Sequence, residues 1–283
     1  LVAADLEVSD QAVRKIIADY TREAGLRNLE REIAAVCRKI ARRRAEGKKK
    51  AVTVGPTQVA ELLGPSRYYR ELADRTGLPG VATGLAWTPT GGEILFIEAT
   101  GMPGKGSLTL TGLLGDSMRE SAQAAMSYLR SHAKGLALDS VKMGKTDVHI
   151  HVPAGAVPKD GPSAGVAIAS ALVSLFRDQA IRPELAMTGE VTLTGRVLPV
   201  GGVRDKILAA RRAGIRSVLL PRHNEKDLVE LPSDVKADLS FRFVDTLEDV
   251  IPKLFEDVPA KARKPEPVKP SSGRVAAVKP KKT

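Results

Sequence analysis

The sequence predicts a mixed α/β (α+β) domain, preceded by a small all-α unit and followed by a disordered basic C-terminal tail. Three observations carry this reading. Residues 9–64 place apolar side chains at helical spacing. Beyond Gly77-Leu78-Pro79-Gly80, strand-like runs mix with longer helices, without the strict alternation of a doubly wound sheet. Past residue 258, apolar residues give way to Lys, Arg and Pro. The boundaries fall at 1–65 for the helical unit, 66–80 for a linker, 81–258 for the α/β domain and 259–283 for the tail.

In the helical unit, Ser9 or Asp10 caps a helix that carries Val13, Ile16, Ile17 and Tyr20 on one face. Asn28 precedes Leu29, Ile33, Val36, Cys37 and Ile40 at helical spacing, and Gly47 ends that helix after a basic last turn. Val52-Thr53-Val54 is a short extended piece. Thr57 opens a third helix, stopped by Gly64-Pro65.

In the α/β domain, Ile94–Ile97 and Ser107–Thr111 read as strands. The stretch Gly101-Met102-Pro103-Gly104-Lys105-Gly106 between them reads as a hairpin turn. Leu113 to His132 is one long amphipathic helix, and Val148 to Val152 alternates as a strand. Ser163 to Phe176 is apolar nearly all round, which marks a buried helix. Val191–Leu193 and Arg196–Leu198 flank Thr194-Gly195 as a hairpin. A helix follows over Val203–Ala213, ended by Gly214. Ser217–Leu220 and Phe241–Val244 are strands, and Thr246–Phe255 is the last helix.

The bulk numbers narrow the function classes. The 283 residues, 43% of them hydrophobic, suffice for one large or two modest cores. With Cys37 as the single cysteine, no internal disulfide forms, in keeping with a reducing compartment. There is no charged-then-apolar leader and no apolar run of about 18 residues, so no membrane contact is expected. The first residue is Leu1, and the chain reads as a piece of a longer protein. The net charge is +11, and +7 of it sits between Lys261 and Thr283. That tail reads as solubilising, or in a sharper reading as a contact for DNA or another polyanion. The second basic cluster, Arg38-Lys39 through Lys48-Lys49-Lys50, reads as a solvated face.

Two segments carry chemistry. In Gly161-Pro162-Ser163-Ala164-Gly165 a serine sits at the mouth of the buried helix. Gly161 permits close approach of the backbone, and Pro162 suits a helix start. Free amides there can donate to a developing oxyanion. Alone, the segment fits an N-cap serine as well as a nucleophile. The pattern Gly161-x-Ser163-x-Gly165 also matches a nucleophile elbow, but that elbow needs a strand running straight into the turn. Here a loop with Pro153 and Pro158 intervenes.

The second segment is Gly201-Gly202-Val203-Arg204-Asp205-Lys206. Lys206 shares a helix face with Val203, Ile207 and Ala210, so it is either desolvated or snorkelling. Desolvation would lower its pKa and make it a base. His132 ends a helix, and His149 and His151 share one strand face without a carboxylate or cysteine cluster, so no metal site is read. His223 follows Ser163 in hydrolase-triad order and is the alternative base.

Several long segments together resemble the Lon family of ATP-dependent serine–lysine proteases. They are Asp147–Pro153, Pro158–Gly165, Ala186–Leu193 and Leu198–Lys206, with Ser163 and Lys206 43 residues apart. Tyr20–Ile33 is similar to the helical lid subdomain of the family's AAA+ module. The resemblance implies that Ser163 is the nucleophile and Lys206 the general base, with Thr188 positioning the lysine. Asp160 and Gly161 then belong to the loop that switches the site on. Trp87 lies near the substrate groove, although by residue type alone it would be core. Arg27 becomes the sensor-2 arginine on nucleotide phosphate.

The resemblance further implies unfolded protein or peptide substrates, a homohexameric ring, a bacterial cytoplasmic setting, and ATP with Mg2+ for the full-length protein. The dyad itself needs no cofactor. No Gly-x4-Gly-Lys-Ser/Thr loop is present, so this chain alone is expected to cleave peptides or unfolded chains without hydrolysing ATP. Ser117 stands where the family more often has an apolar residue. The alternatives are a Ser-His-Asp type hydrolase using His223 and a non-catalytic polyanion-binding module.

Overall fold

The computed structural model describes residues 5–21, 23, 25–47, 51–67, 77–89, 91–153 and 160–256. The tail at 259–283, most of the 66–80 linker, Lys48–Lys50, and Pro158 and Lys159 of the serine segment lie outside the described residues.

The N-terminal unit packs three helices, α1 (Asp10–Tyr20), α2 (Arg27–Ala45) and α3 (Pro56–Leu63), around Ile16, Tyr20, Val36, Ile40, Val59 and Leu62. Ser9 caps α1 by accepting the Ala12 N–H at 3.2 Å. α2 has no cap of its own. The Glu23 carboxylate reaches over and accepts the Asn28 and Leu29 amides at 2.7 and 2.8 Å. The extended piece β2 (Val52–Val54) pairs in parallel with β1 (Leu6–Val8). Ser66 and Arg67 still belong to this unit by contact: the Arg67 N–H donates to the Asp19 carbonyl at 2.9 Å, and its guanidinium pairs with Glu32.

The second unit is built on a seven-stranded mixed sheet. β3 (Val81–Thr88) and β4 (Gly91–Pro103) form an antiparallel hairpin at its centre. Outward from β4 lie β6 (Thr146–His151), antiparallel, and the edge strand β5 (Leu108–Thr111), parallel to β6. Outward from β3 lie β7 (Leu185–Met187), β10 (Ser217–Pro221) and β11 (Ser240–Val244), all parallel. A two-stranded hairpin, β8 (Glu190–Val191) with β9 (Val197–Leu198), stands apart.

The turn expected to make a hairpin of Ile94–Ile97 and Ser107–Thr111 does not do so, because β6 enters between β4 and β5. The Gly-rich turn is instead tied to β6, whose Asp147 carboxylate accepts the Lys105 and Ser107 amides at 2.8 Å each. Those bonds hold the Asp147 carboxyl below its ordinary pKa.

Helices cover both faces. On one side α4 (Asp116–Ser131), α6 (Gly165–Arg177) and α9 (Leu247–Lys253) bury Met118, Leu129, Ile168, Leu172 and Val250 against the sheet. Fully burying side chains of this size contributes roughly 1.5–3 kcal/mol each. On the other side α7 (Val203–Ala213) and α8 (Ser233–Asp238) bury Val203, Ile207, Ala210 and Val235. β10 shows the division: Leu219 faces the first cluster, Val218 and Leu220 the second. A short helix, α5 (Ser140–Gly144), connects α4 to β6. Among the described residues no helix is long and apolar enough to cross a membrane.

Candidate active site

The two sequence segments come from opposite faces of the sheet and meet beyond the end of β7. Ser163 lies in a 3-10 turn, Pro162–Ala164, that leads into α6. Gly161 before it has φ +117°, a conformation side-chain-bearing residues rarely adopt, while the space around it is open. The requirement for glycine there is therefore conformational.

Neither the 3-10 turn nor α6 receives a side-chain cap, so the Ser163 hydroxyl is not serving as an N-cap. Its main chain is fixed instead. The Ser163 carbonyl accepts the Gly189 N–H at 2.9 Å and the Thr188 hydroxyl at 3.1 Å. Gly165, the next glycine, is pressed against Val191 of β8; a Cβ there would sit 2.9 Å from the Val191 nitrogen. The Ser163 and Ala164 amides open the turn and have no acceptor within it.

Lys206 occupies the first turns of α7 and is only 2% exposed, sharing its buried face with Val203, Ile207 and Ala210. A snorkelling lysine would keep its amine in water; this one does not. Its Nζ donates to Thr188 Oγ1 at 3.2 Å. Burial alone lowers its pKa from 10.5 to about 8. A buried amine with that pKa has a neutral fraction near physiological pH and can accept a proton.

Thr188, fully buried just after β7, thus touches both partners: it accepts from Lys206 and donates to the Ser163 main chain. Its own N–H is held by the Leu219 carbonyl at 3.2 Å. Among the described residues no hydrogen bond joins Ser163 Oγ to Lys206 Nζ. Both line one cavity of about 700 Å³.

Asp160 lies at the cavity edge, where one carboxylate oxygen accepts the Gly161 N–H at 2.8 Å and the Met118 N–H at 3.4 Å. It stands over the start of α4, whose N-cap Gly115 has no side chain to offer and no room for one beside Asp160. Ser117, beside it, is half-buried. Trp87 is not core: it is 56% exposed and lines the cavity. Arg27 is exposed at the first residue of α2, outside the cavity.

The histidines fall elsewhere. His223 is exposed on the 3-10 stretch Arg222–Glu230 and does not line the cavity, so the structure does not bring it to Ser163. His149 and His151 both approach Thr111 Oγ1, at 2.8 and 2.7 Å. His132 stacks on Tyr128 at 4.3 Å.

The sequence reading did not single out Gly92, Glu93, Met118, Glu190 or Asp205. Gly92 lets β4 press on the main chain of Asp205 and Lys206. Glu93, Met118 and Glu190 line the cavity. Their roles depend on pairings distant in sequence, although Glu190 and Asp205 lie within segments already singled out.

A mixed α/β fold whose cavity holds a serine at a helix start and a buried lysine amine fits a serine-type peptidase. Two family models match adjoining parts of the chain: the Lon protease AAA+ ATPase lid domain over residues 1–52, and the C-terminal proteolytic domain of Lon protease over residues 53–257. The chain belongs to the Lon protease family. It is 52% identical to the Lon protease of Desulfosudis oleivorans over 291 aligned residues, covering 100% of this chain and 35% of that protein. It is 55% identical to the Lon protease of Aquifex aeolicus over 266 residues, covering 94% of this chain and 33% of that protein. The chain spans about a third of the length of the curated relatives it matches.

Proposed function

We propose that this chain cleaves peptide bonds with a Ser163–Lys206 dyad. The observation that carries the reading is the buried Lys206 amine, shifted to about 8 and bonded to Thr188 in the cavity that Ser163 also lines. Neutral Lys206 takes the Ser163 Oγ proton, and the oxygen attacks the scissile carbonyl. The tetrahedral oxyanion is met by the free amides at the start of the 3-10 turn, with the positive end of α6 behind them. Protonated Lys206 then gives its proton to the leaving amine, and an acyl-Ser163 ester remains. A water gives a proton to Lys206 as it attacks that ester, and Lys206 returns the proton to Ser163 Oγ as the C–Oγ bond breaks and the acid leaves. Attack requires Ser163 Oγ to come within hydrogen-bond reach of Lys206 Nζ, whose bond is now to Thr188.

In the longer protein this site would act on unfolded chains delivered by an ATP-driven motor, in a six-subunit cytoplasmic ring. Arg27, exposed at the start of α2, would be the side chain that contacts a nucleotide phosphate. The nucleotide, with Mg2+, supplies the energy for delivery. The +7 tail would add contact with DNA or another polyanion, measured as binding that weakens steeply with salt.

The test uses an unstructured fluorogenic peptide. Ser163→Ala and Lys206→Ala should each lower kcat/KM by about a thousandfold or more, and His223→Ala should leave it within about twofold. Loss of cleavage in Ser163→Ala and His223→Ala, with Lys206→Ala still active, would replace the dyad with a triad. Unchanged polyanion binding with no cleavage by the parent would leave only a binding module.

A further inference from the structure

Trp87 is the single tryptophan of the chain, and it is held half in solvent at the cavity wall. Burying an indole is among the largest apolar gains available to a side chain, so a fixed, exposed one needs an explanation. Two contacts fix it. Its Nε1–H donates to Asp205 Oδ2 at 3.0 Å. Its Cβ, Cγ and Cδ1 lie against Gly202, where a Cβ would come within 2.9 Å of them. Gly202 has φ +67° and begins α7.

The same hairpin grips Asp205 from a second side. Trp87 and Gly92 are directly paired across β3 and β4. Gly92 receives the main chain of Asp205, and Trp87 receives its side chain. Asp205 is thus the joint between the strand pair and the helix that carries Lys206.

We propose that Asp205 is a positioning residue whose carboxylate holds the Trp87 indole as a fixed wall for the substrate chain. It acts on substrate binding through Trp87 and leaves the proton transfer at Lys206 alone. The inference rests on the peptidase reading of the cavity. It predicts a peptide substrate with an apolar or aromatic side chain against the indole. The lowered basicity of Lys206 comes from burial, and the Asp205 carboxylate is bonded to the indole.

The test compares the parent with Asp205→Ala, Asp205→Asn, Trp87→Phe and the Asp205→Ala/Trp87→Phe double variant. Asp205→Ala and Trp87→Phe should each raise KM about fivefold with kcat within about twofold, as expected for one charge-assisted hydrogen bond at a half-exposed site. Asparagine keeps an acceptor oxygen, so Asp205→Asn should restore KM to within about twofold of the parent. The double variant should be no worse than either single change. The midpoint of the pH–rate profile should not move.

Binding is read separately through Trp87 emission and its quenching by acrylamide, with the peptide added to proteins that also carry Ser163→Ala. There Asp205→Ala should weaken half-saturation by the same factor. Three results would overturn the proposal: Asp205→Asn as poor as Asp205→Ala, a shifted pH midpoint with unchanged KM, or undiminished peptide binding in Asp205→Ala. Cleavage surviving in both Ser163→Ala and Lys206→Ala would sink the dyad, while the emission titration would still decide the role of Asp205.

Discussion

Lys206 and Ser163 face one cavity but are held in opposite ways. Lys206 projects from the middle of a packed helix face, 2% exposed, with its amine tied to Thr188. Ser163 is half-buried in a single 3-10 turn; its main chain is pinned by Thr188 and Gly189, and its hydroxyl makes no cap. The difference fits the proposed roles, Lys206 as base and Ser163 as nucleophile. A lysine becomes a base only where water cannot stabilise its charge, so it must be built into a core. A nucleophile must meet a substrate, so its main chain is fixed and its side chain is left open. Burial is therefore a stability cost at Lys206 and none at Ser163.

That cost gives the largest expected effect outside direct loss of the dyad. The folded-state pKa of Lys206, about 8, lies below its ordinary 10.5. Between those values the unfolded chain binds the proton and the folded one does not, so this group makes stability rise with pH from about 8 to about 10.5. Below pH 8 the full penalty is present, on the order of 3 kcal/mol. Lys206→Met should accordingly stabilise the protein at pH 7 by about 1–3 kcal/mol, and the gain should shrink toward pH 10. Denaturant titration followed by Trp87 emission reads this in the proteolytic unit. A variant less stable than the parent at pH 7 would mean that the amine is not the buried charge described.

Thr188 links the two settings, so its removal should affect both less severely. Thr188→Val keeps the volume but leaves the Lys206 amine without its acceptor and the Ser163 carbonyl with the Gly189 amide alone. A drop of about tenfold in kcat/KM is expected. The lost bond favours the charged amine more than the neutral one, so the rising, acid-side limb of the pH–rate profile, which reports the neutral base, should move to lower pH. An unmoved profile would detach Thr188 from Lys206.

The asymmetry also decided what could be read from the sequence. Lys206 was legible because its neighbours Val203, Ile207 and Ala210 mark a buried face by helical spacing alone. Its freedom from snorkelling was not, since that depends on Thr188 and the sheet. Ser163 was legible as a helix-start serine, while the absence of a capping bond, which removes the cap reading, left no mark in the sequence. β3 was not anticipated, although it is central. Its Val-Ala-Thr-Gly-Leu-Ala-Trp-Thr run is interrupted by the small residues Ala82, Gly84 and Ala86, and at Gly84 a helix packs closely: a Cβ there would sit 3.3 Å from Ala167 Cβ. The misread turn at Gly101–Gly106 had hairpin chemistry, but the pairing of β5 with β6 is non-local and leaves no mark in the turn itself.

The smallest expected effect separates the pinning of the Ser163 turn from its chemistry. Asp160 supplies from the loop the cap that Gly115 cannot give α4, through a long 3.4 Å bond to the Met118 amide. An exposed cap of that length is worth about 0.5–1 kcal/mol, which lowers the melting temperature of a domain this size by roughly 2–3 °C. Asp160→Ala should show that shift, together with a fall of about threefold in kcat/KM as the turn loses its tether to α4. Asp160→Asn keeps the acceptor and should recover the melting temperature. If it also recovers the rate, Asp160 serves the nucleophile by holding its turn. If the rate stays low while the melting temperature returns, the carboxylate charge itself acts in the cavity, and Ser163 is less independent of its charged surroundings than Lys206 is.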